Sequence, residues 1–385
     1  MSHRLLITDC RLFDAAKEQP TRSILIEEGT IAAIGPAAEA VHCDETLDAG
    51  GRMIAPGFID VHIQGAGGAD VLDATPEALA TISRTCARFG TTGFLATTVY
   101  VPGKENRHLT VAAETVGRDL GGATLLGIHI EGPFISAQKR GMIQPNCVCP
   151  PSAECFAEIQ DVCDGRLKMM TIAPELPGSV QLIESLVESN VVAAFGHSNA
   201  TYEQTLDGFE AGVSHVTHLF NAMPSLHHRS PGPLAAIFES EYVTAQLIAD
   251  GVHIHPAVVR LAFERLGADR VVPITDGMQA LGLPDGEYIY NGLEYESREG
   301  TARYKDGTLI GTALGLSRLL DRLMTFAGCP LEVAIRAASQ NPAKVLGLEK
   351  RKGTIETGKD ADLVLLDEDC SVYATLVAGK IVYQK

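Results

Sequence analysis

Eight short apolar runs lie between Ile54 and Asp276, and no other feature of this chain narrows its fold as far. They are 58–62, 93–98, 125–131, 167–173, 191–197, 213–218, 243–250 and 271–276. Most are continuous rather than alternating, the pattern of strands buried on both faces of a parallel sheet. The intervening segments carry helix-start signals: Thr75-Pro76, the capping-box sequence from Thr201 to Gln204, and Pro256 ahead of VVRLAFERLG. Eight strand–helix alternations predict an α/β fold, a closed (β/α)8 TIM barrel, with a doubly wound open sheet as the competing arrangement.

The ends follow a different pattern. Leu5 to Ile34 reads as short strands with a turn at Glu27 to Gly29, and Gly353 to Val382 repeats that style. The expected organisation is a small β-sandwich domain built from both termini, residues 1–54 and 345–385, around a catalytic barrel at 55–344. A further β-rich stretch, Glu287 to Leu309, has turns at Asn291-Gly292 and Asp306-Gly307.

Composition excludes several classes. A formal charge of −17 opposes nucleic-acid binding, which needs a basic surface. No apolar run approaches the roughly 18 residues of a membrane span, and the start, MSHRLLITDCRLFD, lacks a secretory pattern. The nine cysteines are scattered without a CxxC spacing, which points to reduced thiols in a cytoplasmic protein.

In a barrel the chemistry sits at the carboxyl ends of the strands. Five run ends are taken as candidate ligands or acid: His62, Glu131, His197, His218 and Asp276. Each alone has an ordinary explanation as a cap or a hydrogen-bonded core residue. Jointly they would place a carboxylate and several imidazoles in one pocket, a costly burial unless a cation binds them. Two histidines and a glutamate form a common catalytic zinc set with a position open for water. Asp276 is then placed as general base and later as acid toward a leaving amine. His129 and His215, just before Glu131 and His218 on their runs, read as deeper structural groups. His253 follows the seventh run in loop position, where substrate contacts are usual. His255 reads as a helix cap, and Arg229 in the His227-His228-Arg229 patch as a bidentate phosphate contact or a solvated loop residue.

HIEGPF, FGHSNAT, VTHLFNAMPSL, IADGVHIHP and VPITDGM, in that order, resemble the N-acetylglucosamine-6-phosphate deacetylases of the amidohydrolase superfamily. The resemblance covers nearly the whole chain. It implies removal of the acetyl group of N-acetylglucosamine 6-phosphate to give glucosamine 6-phosphate and acetate, in a cytoplasmic homodimer of amino-sugar metabolism. It also implies metal ligation by Glu131, His197 and His218, acid/base work by Asp276, and substrate contacts from Asn221, Ala222, Arg229 and His253. Two positions depart from the family pattern. Two-metal members carry His-X-His where this chain has His62 and Gln64, so one tight divalent-metal site, with zinc as the metal, is expected, and His62 is assigned to a weaker second site. Many members also have a histidine after a Lys-Gly or Arg-Gly pair, where KRGMIQPN places Ile143 or Gln144. The alternatives are action on a related acetamido sugar or cyclic amide, or a non-catalytic barrel scaffold.

Overall fold

The computed structural model describes residues 3–14 and 17–385. Eight parallel strands follow one another in sequence order around the main sheet: β1 (Phe58–Ile63), β2 (Thr91–Thr98), β3 (Thr124–Glu131), β4 (Leu167–Ile172), β5 (Val192–Phe195), β6 (His215–Val216), β7 (Thr244–Leu247) and β8 (Val271–Pro273). The ring closes just beyond β8. Asp276 N donates to His62 O at 2.9 Å, and Gln64 N donates to Gly277 O at 2.9 Å. The expected barrel is therefore present and the open sheet is excluded.

A helix follows every strand: α1 (Pro76–Ala87), α2 (Arg107–Thr115), α3 (Ala153–Cys163), α4 (Ser179–Glu188), α5 (Tyr202–Glu210), α6 (Gly232–Glu239), α7 (Pro256–Leu266) and α8 (Leu316–Ala327). The start signals act as read. Thr75 caps α1 through Ala78 N, Thr201 and Gln204 form the reciprocal box on α5, and the His255 side chain accepts from Ala257 N at α7. These caps satisfy amides that the first helical turn leaves without partners.

Five runs are shorter as strands than as apolar stretches, and three of them carry site residues past the paired segment. Regular pairing ends at Phe195, Val216 and Pro273, and the polar residues beyond turn out of the ladder: His197, His218 and Asp276 have φ of 48°, 29° and 47°. Left-handed backbone at non-glycine residues costs on the order of 1–3 kcal/mol each and clusters at functional sites.

Both termini contribute to one second sheet. Ile54 pairs with Leu365 and Met53 with Leu366, antiparallel, and the sheet encloses its own core of Leu5, Ile7, Ile24, Ile54, Leu363, Leu365 and Ala374. The first two strands, Arg4–Asp14 and Lys17–Glu27, run eleven residues each, longer than the short strands expected. Register shifts around Cys10 break the alternation that a sequence reading relies on. The stretch after β8 forms a four-stranded antiparallel sheet, Gly286–Tyr290, Leu293–Arg298, Thr301–Tyr304 and Leu309–Thr312.

Lys352 ties the terminal sheet to the barrel entrance. Its side chain is only 9% exposed, and the ammonium pairs with Asp360 at 2.9 Å and with Asp362, whose backbone carbonyl accepts Gly57 N just ahead of β1. Removing one member of a buried ion cluster leaves a charge uncompensated. Lys352→Ala should therefore lower unfolding free energy by about 3–5 kcal/mol in denaturant titration, whereas loss of the exposed Lys380–Asp119 pair should change it little.

Candidate active site

Glu131 ends β3, and His197 and His218 each lie two residues beyond their strands. Their side chains converge. Glu131 Oε1 lies 2.9 Å from His197 Nε2 and 2.9 Å from His218 Nε2, and the two Nε2 atoms are 3.0 Å apart. All three residues are buried.

The protons on His197 can be placed. Its Nδ1 is 2.7 Å from Lys139 O, and a carbonyl only accepts, so Nδ1 carries a hydrogen, and in the neutral ring Nε2 presents a lone pair. Burial alone would raise the Glu131 carboxyl, but the imidazoles of His62, His197 and His218 outweigh it and hold the group well below its usual range. With that ring neutral, its lone pair and the carboxylate oxygen at 2.9 Å repel unless a positive charge, a proton or a metal ion, sits between them. The donor set and its crowding therefore fit a divalent cation, and among the described residues Glu131, His197 and His218 are the group whose ligand atoms could hold one.

Asp276 sits beside this cluster. Gln64 Nε2 donates to Asp276 Oδ1 at 3.1 Å, so the residue standing where a second histidine was looked for grips the candidate acid/base. His62 Nε2 is 3.4 Å from Asp276 Oδ1 and 3.7 Å from Glu131 Oε1, buried and without a hydrogen-bond partner. His62 Nδ1 is 3.0 Å from Gln246 Oε1, which also accepts His218 N at 3.2 Å. Gln246 thus couples two of the predicted histidines, and nothing local marks it beyond being a polar residue inside an apolar run.

Deeper in the barrel, Asp60 accepts from Thr275 Oγ1 at 2.5 Å and from His62 N at 3.2 Å, and burial pushes its carboxyl up to about 7. His129 and His215 lie in the same layer. His129 binds Val61 O and Thr171 Oγ1, and His215 binds Thr244 Oγ1 at 2.6 Å. Burial keeps both imidazoles neutral, with His215 lowered to about 3, as suits the structural role expected of them.

A cavity of about 150 Å³ opens over the cluster. Its walls are Glu131, His197, His218 and Asp276 with Asn221, Ala222 and His253, closed by Gly141, Met142, Leu309 and Ile310. The structure does not bring Arg229 to it: the loop from Ser225 to Ser230 runs over the surface, and Arg229 is exposed with Nη1 2.7 Å from His228 Nε2. Of the two residues expected in place of the family histidine, Ile143 is buried among Val99, Ile135 and Cys147, and the Gln144 amide donates to Asn291 O. Met142 faces the cavity in their stead.

The sequence pattern of the amidohydrolase family matches residues 53–382. The chain is 36% identical to the N-acetylglucosamine-6-phosphate deacetylase of Bacillus subtilis (strain 168), over 100% of this chain and 98% of that one. It is 34% identical to the N-acetylgalactosamine-6-phosphate deacetylase of Escherichia coli O157:H7, over 92% and 93% of the two chains. Among solved structures, an aspartate-to-alanine mutant of the Mycobacterium smegmatis N-acetyl-D-glucosamine-6-phosphate deacetylase, in complex with N-acetyl-D-glucosamine-6-phosphate, superposes with a TM-score of 0.90 at 33% identity over 100% of each chain.

Gly311 supports the site from outside the barrel. A Cβ there would lie 2.3 Å from Asp276 O, at a φ of +142°. Gly311→Ala should destabilise the fold by about 1–3 kcal/mol in thermal or denaturant unfolding. Turnover measured at a temperature where the variant is fully folded should also fall, because the Asp276 backbone must move.

Proposed function

Since the chain belongs to the amidohydrolase family and, within it, to the N-acetylglucosamine-6-phosphate deacetylases, we propose that it hydrolyses the acetamide of N-acetylglucosamine 6-phosphate to glucosamine 6-phosphate and acetate. The observation that carries this reading is the convergence of Glu131 Oε1, His197 Nε2 and His218 Nε2 beneath a cavity that Asp276 also lines.

Glu131, His197 and His218 would hold one divalent ion, zinc by preference for an imidazole and carboxylate set. Such an ion supplies Lewis acidity, lowering the pKa of water and polarising the acyl oxygen. The chain's own residues do the rest. Gln64 fixes Asp276 Oδ1, and Oδ2 has no protein partner among the described residues, which leaves it free to take the proton of the attacking water and return it to the sugar nitrogen. His253 stands over the cavity to bind a substrate oxygen, and Asn221 and Ala222 line the side where the sugar phosphate would lie. Arg229, on the same loop but exposed outside the cavity, takes no part in the site as described. His62 aims a free Nε2 at the same centre and is the ligand left for a weaker second ion.

A cytoplasmic homodimer completes the reading. Nine free cysteines suit a reducing compartment, and the sharing of one sheet by both termini supports the division into 1–54 with 345–385 and 55–344. A second reading, N-acetylgalactosamine 6-phosphate as substrate, rests on the 34% identical relative named for that activity.

Purified, metal-quantified protein should deacetylate N-acetylglucosamine 6-phosphate at least tenfold faster than the unphosphorylated sugar. Asp276→Asn should lose on the order of 10²–10⁴ in kcat with its fold intact. Preference for the galacto epimer would transfer the assignment to the second reading, and equal turnover of the free sugar would remove the phosphate from it.

A further inference from the structure

Asp250 is a buried carboxylate behind the cavity wall to which the proposed reaction gives no role. It lies three residues past β7 and three before His253, with its side chain inaccessible. Its two oxygens do separate things. Oδ1 accepts the backbone amides of Val252 at 2.9 Å and His253 at 2.8 Å, closing the turn that carries the histidine into the cavity. Oδ2 lies 2.6 Å from His253 Nδ1. The Arg322 guanidinium of α8 donates to Asp250 O and pins the same turn from behind.

Turn closure needs only Oδ1, and an asparagine could provide it. The contact from Oδ2 to the ring is additional. Burial opposes charge on Asp250, but the hydrogen bonds from His253 and the turn amides outweigh it and hold the carboxyl below its ordinary range. An ionised carboxylate only accepts, so His253 Nδ1 keeps its proton whether the ring is neutral or cationic. Nε2 has no protein partner among the described residues, and His253 lines the cavity.

We infer that Asp250 is a positioning residue for substrate binding: its Oδ2 fixes the tautomer and orientation of His253 so that Nε2 meets a substrate oxygen. This rests on the deacetylase reading for the identity of that substrate, while the state of the ring is independent of it. An Asp250→Asn side chain keeps an oxygen for the turn and puts an amide NH₂ against Nδ1. That group donates, so the ring proton moves to Nε2.

The experiment uses the metal-loaded protein with Asp250→Asn, His253→Asn and the double substitution, and the metal content of each is measured. We expect Asp250→Asn to lower kcat/KM for N-acetylglucosamine 6-phosphate at least tenfold with metal content unchanged. In the His253→Asn background the same change should matter less than twofold. No loss in the first background, or an equal loss in both, overturns the inference. ¹⁵N-histidine NMR provides a readout that needs neither turnover nor a folded Asp250 variant. The resonances missing from His253→Asn identify the ring, which should be protonated at Nδ1 in the unsubstituted protein; a bare Nδ1 overturns the inference. Absence of turnover in the unsubstituted protein, with Nδ1 protonated, would count against the substrate and leave the positioning role standing.

Discussion

A carboxylate oxygen and two imidazole nitrogens held about 3 Å apart in a buried space need a positive charge between them, and much of the architecture serves to hold them there. The barrel supplies the convergence, because strands tilted around one axis direct the residues at their carboxyl ends to a common point. Closure of the ring also belongs to the site. The amides and carbonyls of His62, Gln64, Asp276 and Gly277 make the final seam between β8 and β1, so the bonds that complete the fold also place the candidate acid/base.

The seam is backed by further layers. Asp60 clamps Thr275, the residue before Asp276, and Gln246 joins His62 to His218. From outside, the four-stranded sheet lays Thr312 alongside Gly277, Thr312 N donating to Asp276 O and Met278 N to Thr312 O, and brings Leu309 and Ile310 to the cavity. Left-handed backbone at His197, His218 and Asp276 is the strain such a frame must hold in place, since three bulky residues would otherwise relax toward extended conformations.

Much of this was legible in the sequence, because burial on both faces and helix capping write local signatures. The eight strands and the caps at Thr75, Thr201 and His255 stand where the pattern put them, while His197, His218 and Asp276 lie just past the paired residues. Longer-range contacts left no signature. Gln246 alternates within TAQL like any inward polar residue, and nothing local says that its oxygen reaches both His62 and His218. Asp250 reads as part of an apolar run until the turn after it is seen to fold its carboxylate onto His253. The path of the loop carrying Arg229 is likewise set by what packs beneath it, which spacing does not encode. The long first strands of the terminal sheet were hidden by the register shifts at Cys10, which interrupt the period of two.

The most direct test of the central claim is an anomalous difference map, recorded at the zinc absorption edge from crystals of the zinc-loaded protein. The account predicts that the strongest peak lies about 2.0–2.2 Å from a Glu131 carboxylate oxygen and from Nε2 of both His197 and His218. A map with no peak among these three atoms, or with its strongest peak on other side chains, would contradict it.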